Sequence, residues 1–257
     1  MKKFPLTVIP ALMLTVTVLY ASMPVSSFII EPRDLKNDIY ARDKSVFIIS
    51  SSDEDFSLPA ASNQRVLSSR LSSGGKEFTI ATGNFGDTGS SGRVEYLKNT
   101  PYLNLESSVI KAAAGSFSRS KNRVREISEF VYRHISVKKE GHNIVSAASV
   151  MKNRTGDCKQ HSILTVALLR ANSIPARAVV GIILSEYFNG KRNVFVYHMW
   201  AEAYVNGRWE LVDSTRPSDI HHNRYIAFAF HNLKTEAPLD YLTAVSAISN
   251  VKIRQSE

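Results

Sequence analysis

The sequence predicts an α+β fold in which an apolar, cysteine-bearing helix packs on an antiparallel β-sheet. Three observations carry this prediction. Residues 155–169, TGDCKQHSILTVALL, begin with helix-start signals and continue as a run that is apolar on most sides, as a buried helix requires. Asn189-Gly190 and Asn206-Gly207 each separate two runs of strand-forming residues, the setting in which Asn-Gly makes a two-residue hairpin turn. Upstream, Val124, Ile127, Phe130, Val131 and Ile135 recur at helical spacing.

At 257 residues and 44% hydrophobic content, the chain has room for one full domain and an extension. Met1-Lys2-Lys3 is a short basic start, and the uncharged apolar run that follows to Ala21 has the layout of a secretory signal. Leu19-Tyr20-Ala21 and Val25-Ser26-Ser27 offer small-residue cleavage sites, and an uncleaved anchor of about 18–20 residues would just span a bilayer. Residues 1–27 are therefore expected to be a signal peptide or an N-terminal membrane anchor. Either places the rest in the periplasm or outside the cell. The net charge of +9 comes from 32 basic against 23 acidic residues. These are scattered, without an aromatic-interleaved stripe, which argues against nucleic acid as a partner and allows affinity for acidic envelope material.

Residues 28–94 read as a β-prone extension without a catalytic motif. Strand-like runs at 45–50 and 76–81 alternate with Ser/Gly-rich loops at 72–75 and 86–93, and 34–43 is a charged segment. From residue 95 to 257 the pattern is that of a second unit. It opens with a short helix over 107–116 and a longer one capped by Ser120, with Arg123, Arg125 and Glu129 facing out. A further turn or two at 146–152 delivers the chain to Gly156-Asp157-Cys158.

Asp157 is a good N-cap and Gln160, three residues on, completes a capping box, so Cys158 falls on the first helical position. It is the only cysteine of the chain. A disulfide within the chain is thereby excluded, and an exported lone thiol is either inert and buried or kept for reactivity. Position decides between them: Cys158 precedes the apolar run, at the polar end of the helix, where the partial positive charge favours a thiolate.

The period then changes to that of strands, over 176–188, 194–205 and 208–215. If Asn206 and Gly207 are the loop residues, Val205 faces Arg208 and Trp200 lies opposite Asp213. His198 then lies two residues along on the same face. The diagonal spacing, about 7–8 Å between backbones, lets an imidazole meet a carboxylate. Cys158, His198 and Asp213 thus form a candidate nucleophile, base and orienting acceptor, with the Cys158 N–H as one oxyanion donor. Trp200, which can wall the site, and Gln160 are candidate substrate contacts. Glu202, on the His198 face, suits a structural ion pair. His161, in C-x-x-H with Cys158, and the adjacent His221-His222 lack further paired spacing, so neither metal nor cofactor is expected.

Several of these residues also match a known family. Gly156-Asp157-Cys158, the run ANSIPARA over 171–178, the run HMWAEAYV over 198–205, Gly207-Arg208-Trp209 and Val212-Asp213-Ser214-Thr215 occur in the order and spacing of the transglutaminase-like core. The resemblance covers roughly 95–255, with 224–230 and 251–254 similar to the closing strands of bacterial members. It implies a papain-like fold with Cys158 as nucleophile, His198 as base and then acid, and Asp213 as orienting residue. Where many bacterial members read GDC-x-EH and DPT, this chain has Lys159-Gln160-His161 and Asp213-Ser214-Thr215; neither change touches the three residues. No acidic loop suggests a calcium site. The expected activity is a thioester reaction on envelope protein or peptide amides, with hydrolysis slightly ahead of Gln-Lys acyl transfer. The alternative is a binding or scaffold module that keeps the fold, against which the intact Cys-His-Asp set argues.

Overall fold

The molecule is described by a computed structural model over residues 29–72, 74–86, 93–138, 144–234, 247–248 and 250–256. The expected signal or anchor segment lies outside them. In chain order the strands and helices are β1 (Ile29–Ile30), β2 (Lys44–Ser51), β3 (Gln64–Ser72), β4 (Gly75–Gly83), α1 (Ser108–Gly115), α2 (Arg123–His134), β5 (Val137–Lys138), α3 (Ala147–Asn153), β6 (Thr155–Gly156), α4 (Cys158–Ala171), β7 (Ala176–Phe188), β8 (Lys191–Val205), β9 (Arg208–Val212), β10 (Tyr225–His231) and β11 (Val251–Gln255). Among the described residues no helix is long and apolar enough to cross a membrane.

Both Asn-Gly pairs make the turns their chemistry demands. Asn189 and Gly190 have φ of 47° and 78°, Asn206 and Gly207 of 51° and 81°, which is the positive-φ pair of a type I′ hairpin. The second turn sets Val205 against Arg208 and Ala201 against Val212, the register read from the sequence. The resulting antiparallel sheet has the order β1-β8-β7-β10, with β9 also on β8. Helix α4 lies against it, and Ile163, Leu164, Val166 and Leu168 form a core with Met199, Ala201 and Ala203 of β8 and with residues of α1, α2 and α3. Twelve of its fourteen residues are buried, as its all-round apolar sequence requires.

A second antiparallel sheet, β11-β2-β4-β3, packs on the first. Phe47, Ile49, Phe78 and Ile80 meet Ile182, Leu184, Phe195 and Phe228 in a separate core. Two expectations change here. The 251–254 strand does not close the sheet of β7 and β8; its alternating Val251, Ile253 and Gln255 are buried against β2 instead. The extension is also no appendage. Its first strand, β1, pairs with β8, and the C-terminal strand β11 pairs with β2, so each sheet takes strands from both sides of the boundary between residues 94 and 95.

Candidate active site

The turn that carries Cys158 is fixed by its own capping groups. Asp157 Oδ1 accepts the Lys159 N–H at 2.9 Å, and the Asp157 N–H donates to Gln160 Oε1 at 3.0 Å. The Gln160 N–H also reaches the Asp157 side chain, completing the box. The Lys159 ammonium lies 2.7 Å from Asp157 Oδ2, with both side chains under a tenth exposed. A Cβ on Gly156 would fall into the Gln160 side chain, so only glycine leaves room for this cap. The cap claims the N–H groups of Lys159 and Gln160. Cys158 itself is half-buried at the junction of the two main cores.

Strand alternation and the hairpin register bring the other two residues together. His198 Nε2–H donates to Asp213 Oδ2 at 2.7 Å, with both residues buried. The Cys158 side chain also acts on the His198 ring, adding to the interactions that favour its charged form. Burial alone would lower the His198 pKa, but the charge and hydrogen bond of Asp213, helped by Cys158, outweigh it and push it up to about 9. For Asp213, burial would raise the pKa, and His198 and Thr215 reverse this and hold the carboxyl well below the usual range. Both shifts favour an imidazolium beside a carboxylate over the neutral forms of the pair.

The Asp213 carboxylate is held at both oxygens. Thr215 gives its N–H and its hydroxyl to Oδ1 at 2.9 and 2.7 Å, and the Tyr225 hydroxyl donates to Oδ2 at 2.8 Å. Arg216 Nε stands 3.8 Å from the same Oδ2. A hydroxyl chain ties the next residue to the helices: Ser214 Oγ lies 2.6 Å from Thr165 Oγ1 of α4 and donates to Ser128 Oγ of α2 at 3.0 Å. Sequence reasoning missed all of these. The Asp-x-Thr spacing of 213–215 is a signal for a side-chain turn that could have found Thr215, whereas Tyr225 lies in a different strand and leaves no local trace.

The remaining candidates take other places. Trp200 is 1% exposed, and its ring runs nearly parallel to that of His198, 6.1 Å away, with Tyr225 edge-on to it. It therefore walls the imidazole from behind and offers a substrate no surface. Gln160, also 1% exposed, is held by the capping box. Glu202 is fully buried and pairs with Arg177. His161 Nδ1–H donates to the Asp157 carbonyl at 2.8 Å, and burial lowers its pKa, so it is neutral and structural on this side of its ring.

A cysteine at a helix N-terminus meeting a histidine-aspartate pair on an antiparallel sheet is the layout of a papain-like α+β protein. Residues 109–214, a span that holds Cys158, His198 and Asp213, match the family model of the transglutaminase-like superfamily. Among solved structures, a candidate cysteine protease from Cytophaga hutchinsonii shares the fold with a TM-score of 0.50 at 19% identity, over 82% of this chain and 83% of that one. The periplasmic domain of TgpA from Pseudomonas aeruginosa, bound to ethylmercury, aligns with a TM-score of 0.44 at 14% identity, over 74% of this chain and 96% of that one. No curated protein matches the sequence.

Proposed function

We propose that the protein is an exported cysteine enzyme that acts on amide bonds of proteins or peptides through a thioester on Cys158, with water as the usual acceptor. The observation that supports this most is the buried His198–Asp213 hydrogen bond beside the capped turn of Cys158. In the first half-reaction the Cys158 thiol passes its proton to His198 and the sulfur attacks the amide carbonyl, forming a C–S bond while the oxyanion takes the Cys158 N–H. His198 then gives its proton to the leaving amine as the C–N bond breaks. Neutral His198 next removes a proton from water, which attacks the thioester, and returns it to the sulfur as the C–S bond breaks, releasing a carboxylic acid and the thiol. Asp213 holds the imidazole in the tautomer both steps need.

Export rests on the sequence of residues 1–27. A lysine amine in place of water would make the same site a crosslinking acyltransferase. The test is casein incubated with the full chain and dansylcadaverine, with products read by mass spectrometry. Cleaved or deamidated casein that disappears with Cys158→Ala supports hydrolysis, and dansyl label on glutamine would turn the reading to acyl transfer. A full chain whose Cys158 alkylation by iodoacetamide, followed against pH, is the same in His198→Ala would overturn the enzyme reading.

A further inference from the structure

Asp213 receives more than a histidine partner, and the extra donor leads back to the part of the chain with no assigned role. Tyr225, the first residue of β10, is fully buried, with its hydroxyl on Asp213 Oδ2, the same oxygen that takes His198. Burial and the Asp213 charge push the phenol pKa well above its ordinary value, so the hydroxyl stays a donor. Its ring meets those of both His198, at 6.0 Å, and Trp200, at 5.3 Å.

The start of β10 is gripped by side chains of the N-terminal sheet. Asn63 Nδ2 donates to the Tyr225 carbonyl at 2.7 Å and to the His222 carbonyl at 3.2 Å. Gln64 binds both backbone groups of Ala227, accepting its N–H at 2.9 Å and donating to its carbonyl at 3.0 Å, as a strand would. Thr82 donates to the Asn223 carbonyl at 2.8 Å, and Asn223 in turn donates to the Ile39 carbonyl at 3.0 Å. All four side chains are buried. The side-chain N–H and O–H donors of Asn63, Gln64, Thr82 and Asn223 are paired in this one arrangement, so the set admits little slippage of residues 222–227.

We propose that Tyr225 is a positioning residue of the site, setting how Asp213 is shared with His198, and that the N-terminal sheet serves the site by holding Tyr225 in place through Asn63 and Gln64. The proposal rests on the reading of Cys158, His198 and Asp213 as a catalytic set. Around the phenol oxygen the charged or titratable groups are Asp213, His198, Arg216 and Asp219, and around the imidazole they are Asp213, Cys158 and Tyr225. With the phenol hydroxyl gone, Oδ2 keeps His198 as its one close donor, and more of the carboxylate charge falls on the imidazolium. Thr215 still holds Oδ1.

The experiment is an NMR titration of the histidine ring nitrogens in the full chain, with the His198 signal assigned by its loss in His198→Ala. Tyr225→Phe keeps the ring packing and is expected to move the His198 midpoint up from about 9 by about one unit. Asn63→Ala removes the tether and leaves the phenol, and should move the midpoint in the same direction by less. A purely structural role would lower thermal stability in both variants without moving the midpoint. That result, or a shift in Tyr225→Phe alone, would overturn the proposal in whole or in its N-terminal part. Asn63→Ala carries the test by itself should Tyr225→Phe lose its fold. Cys158 alkylation in wild type and His198→Ala, run alongside, separates the two claims: if the alkylation profile does not depend on His198, the catalytic reading fails first.

Discussion

Replacing Glu202 by alanine should destabilise the molecule more than any change on its surface. Glu202 is fully buried on β8, where its Oε2 lies 2.7 Å from Arg177 Nε and 2.6 Å from a terminal guanidinium nitrogen. Its Oε1 accepts the Ser62 N–H at 2.8 Å, which makes the same carboxylate a bridge to the N-terminal segment. Glu202→Ala strips the buried guanidinium of its counter-charge, a change that costs about 3–5 kcal/mol when one partner of a buried pair is removed. The lost Ser62 bond adds about 1 kcal/mol. Stacking of Arg177 against Phe230 and Trp209, with centroid distances of 3.4 and 4.3 Å, remains but does not replace a carboxylate. At about 2–4 °C per kcal/mol for a chain of this size, the melting temperature should fall by about 8 °C or more. Urea unfolding followed through tryptophan fluorescence is a direct assay, because Trp209 lies on Arg177. The double variant Arg177→Met with Glu202→Leu should recover most of the loss, since apolar replacement of a buried pair is close to neutral. A single-variant cost below about 1 kcal/mol, or a double variant no better than Glu202→Ala, would refute the reasoning.

Other outcomes follow from the same contacts. His198 titrates at about 9 in the folded chain against about 6.5 unfolded, so its contribution is complete below about pH 6.5 and lost as the pH rises through 9, a change of about 3 kcal/mol. Asp213, with a depressed pKa, contributes above about pH 4 and loses this as the pH falls further. Urea midpoints measured across pH should therefore fall on the alkaline side in wild type and fall less in His198→Ala. Gly181→Ala would set a Cβ on the Ile226 carbonyl oxygen and 2.7 Å from the Trp200 ring, pushing β10 off β7 at about 1–3 kcal/mol, visible in the thermal midpoint. Asp157→Ala removes the cap and the counter-charge of buried Lys159 together. It should cost about 3 kcal/mol or more, whereas Asp157→Asn, which keeps the cap alone, should recover about 1 kcal/mol of that in urea unfolding.

The helix and the meander were legible because both are written in local chemistry. Asp157 and Gln160 mark a helix start in four residues, and each Asn-Gly pair fixes a hairpin whose register then places every side chain of two strands. His198 and Asp213 could be paired from the sequence for this reason: the distance between them is counted from a turn of known length. Where the count lacked such an anchor it drifted. The longer helix starts at Arg123 rather than just after Ser120, whose hydroxyl instead takes the Asn122 N–H and forms a turn ahead of it. Strand β3 was not read at all. Its sequence QRVLSSRLS alternates poorly, and it carries a bulge between Val66 and Ser68 at the open edge of its sheet.

What pattern reading lost most completely is the attachment of the N-terminal sheet, and the cause is chemical rather than statistical. Apolar periodicity reports which face of an element is buried, and Phe47, Ile49, Phe78 and Ile80 fall within the two runs that read as strand-like. The join to β10 is made instead by Asn63, Gln64 and Asn223, residue types that in a sequence mean turn or surface. Each is buried and bonded to a backbone carbonyl at least 162 positions away, Asn63 to Tyr225, Gln64 to Ala227 and Asn223 to Ile39. A side-chain amide that mimics a strand's pairing edge has no period and no preferred spacing to its partner. Only its burial gives it away. The same holds for the Asp213 carboxylate, whose four close donors come from one adjacent turn, one hairpin partner and one strand that the N-terminal sheet holds in place. The grouping of Cys158, His198 and Asp213 is thus legible where covalent neighbours fix it, and its support is legible only in three dimensions.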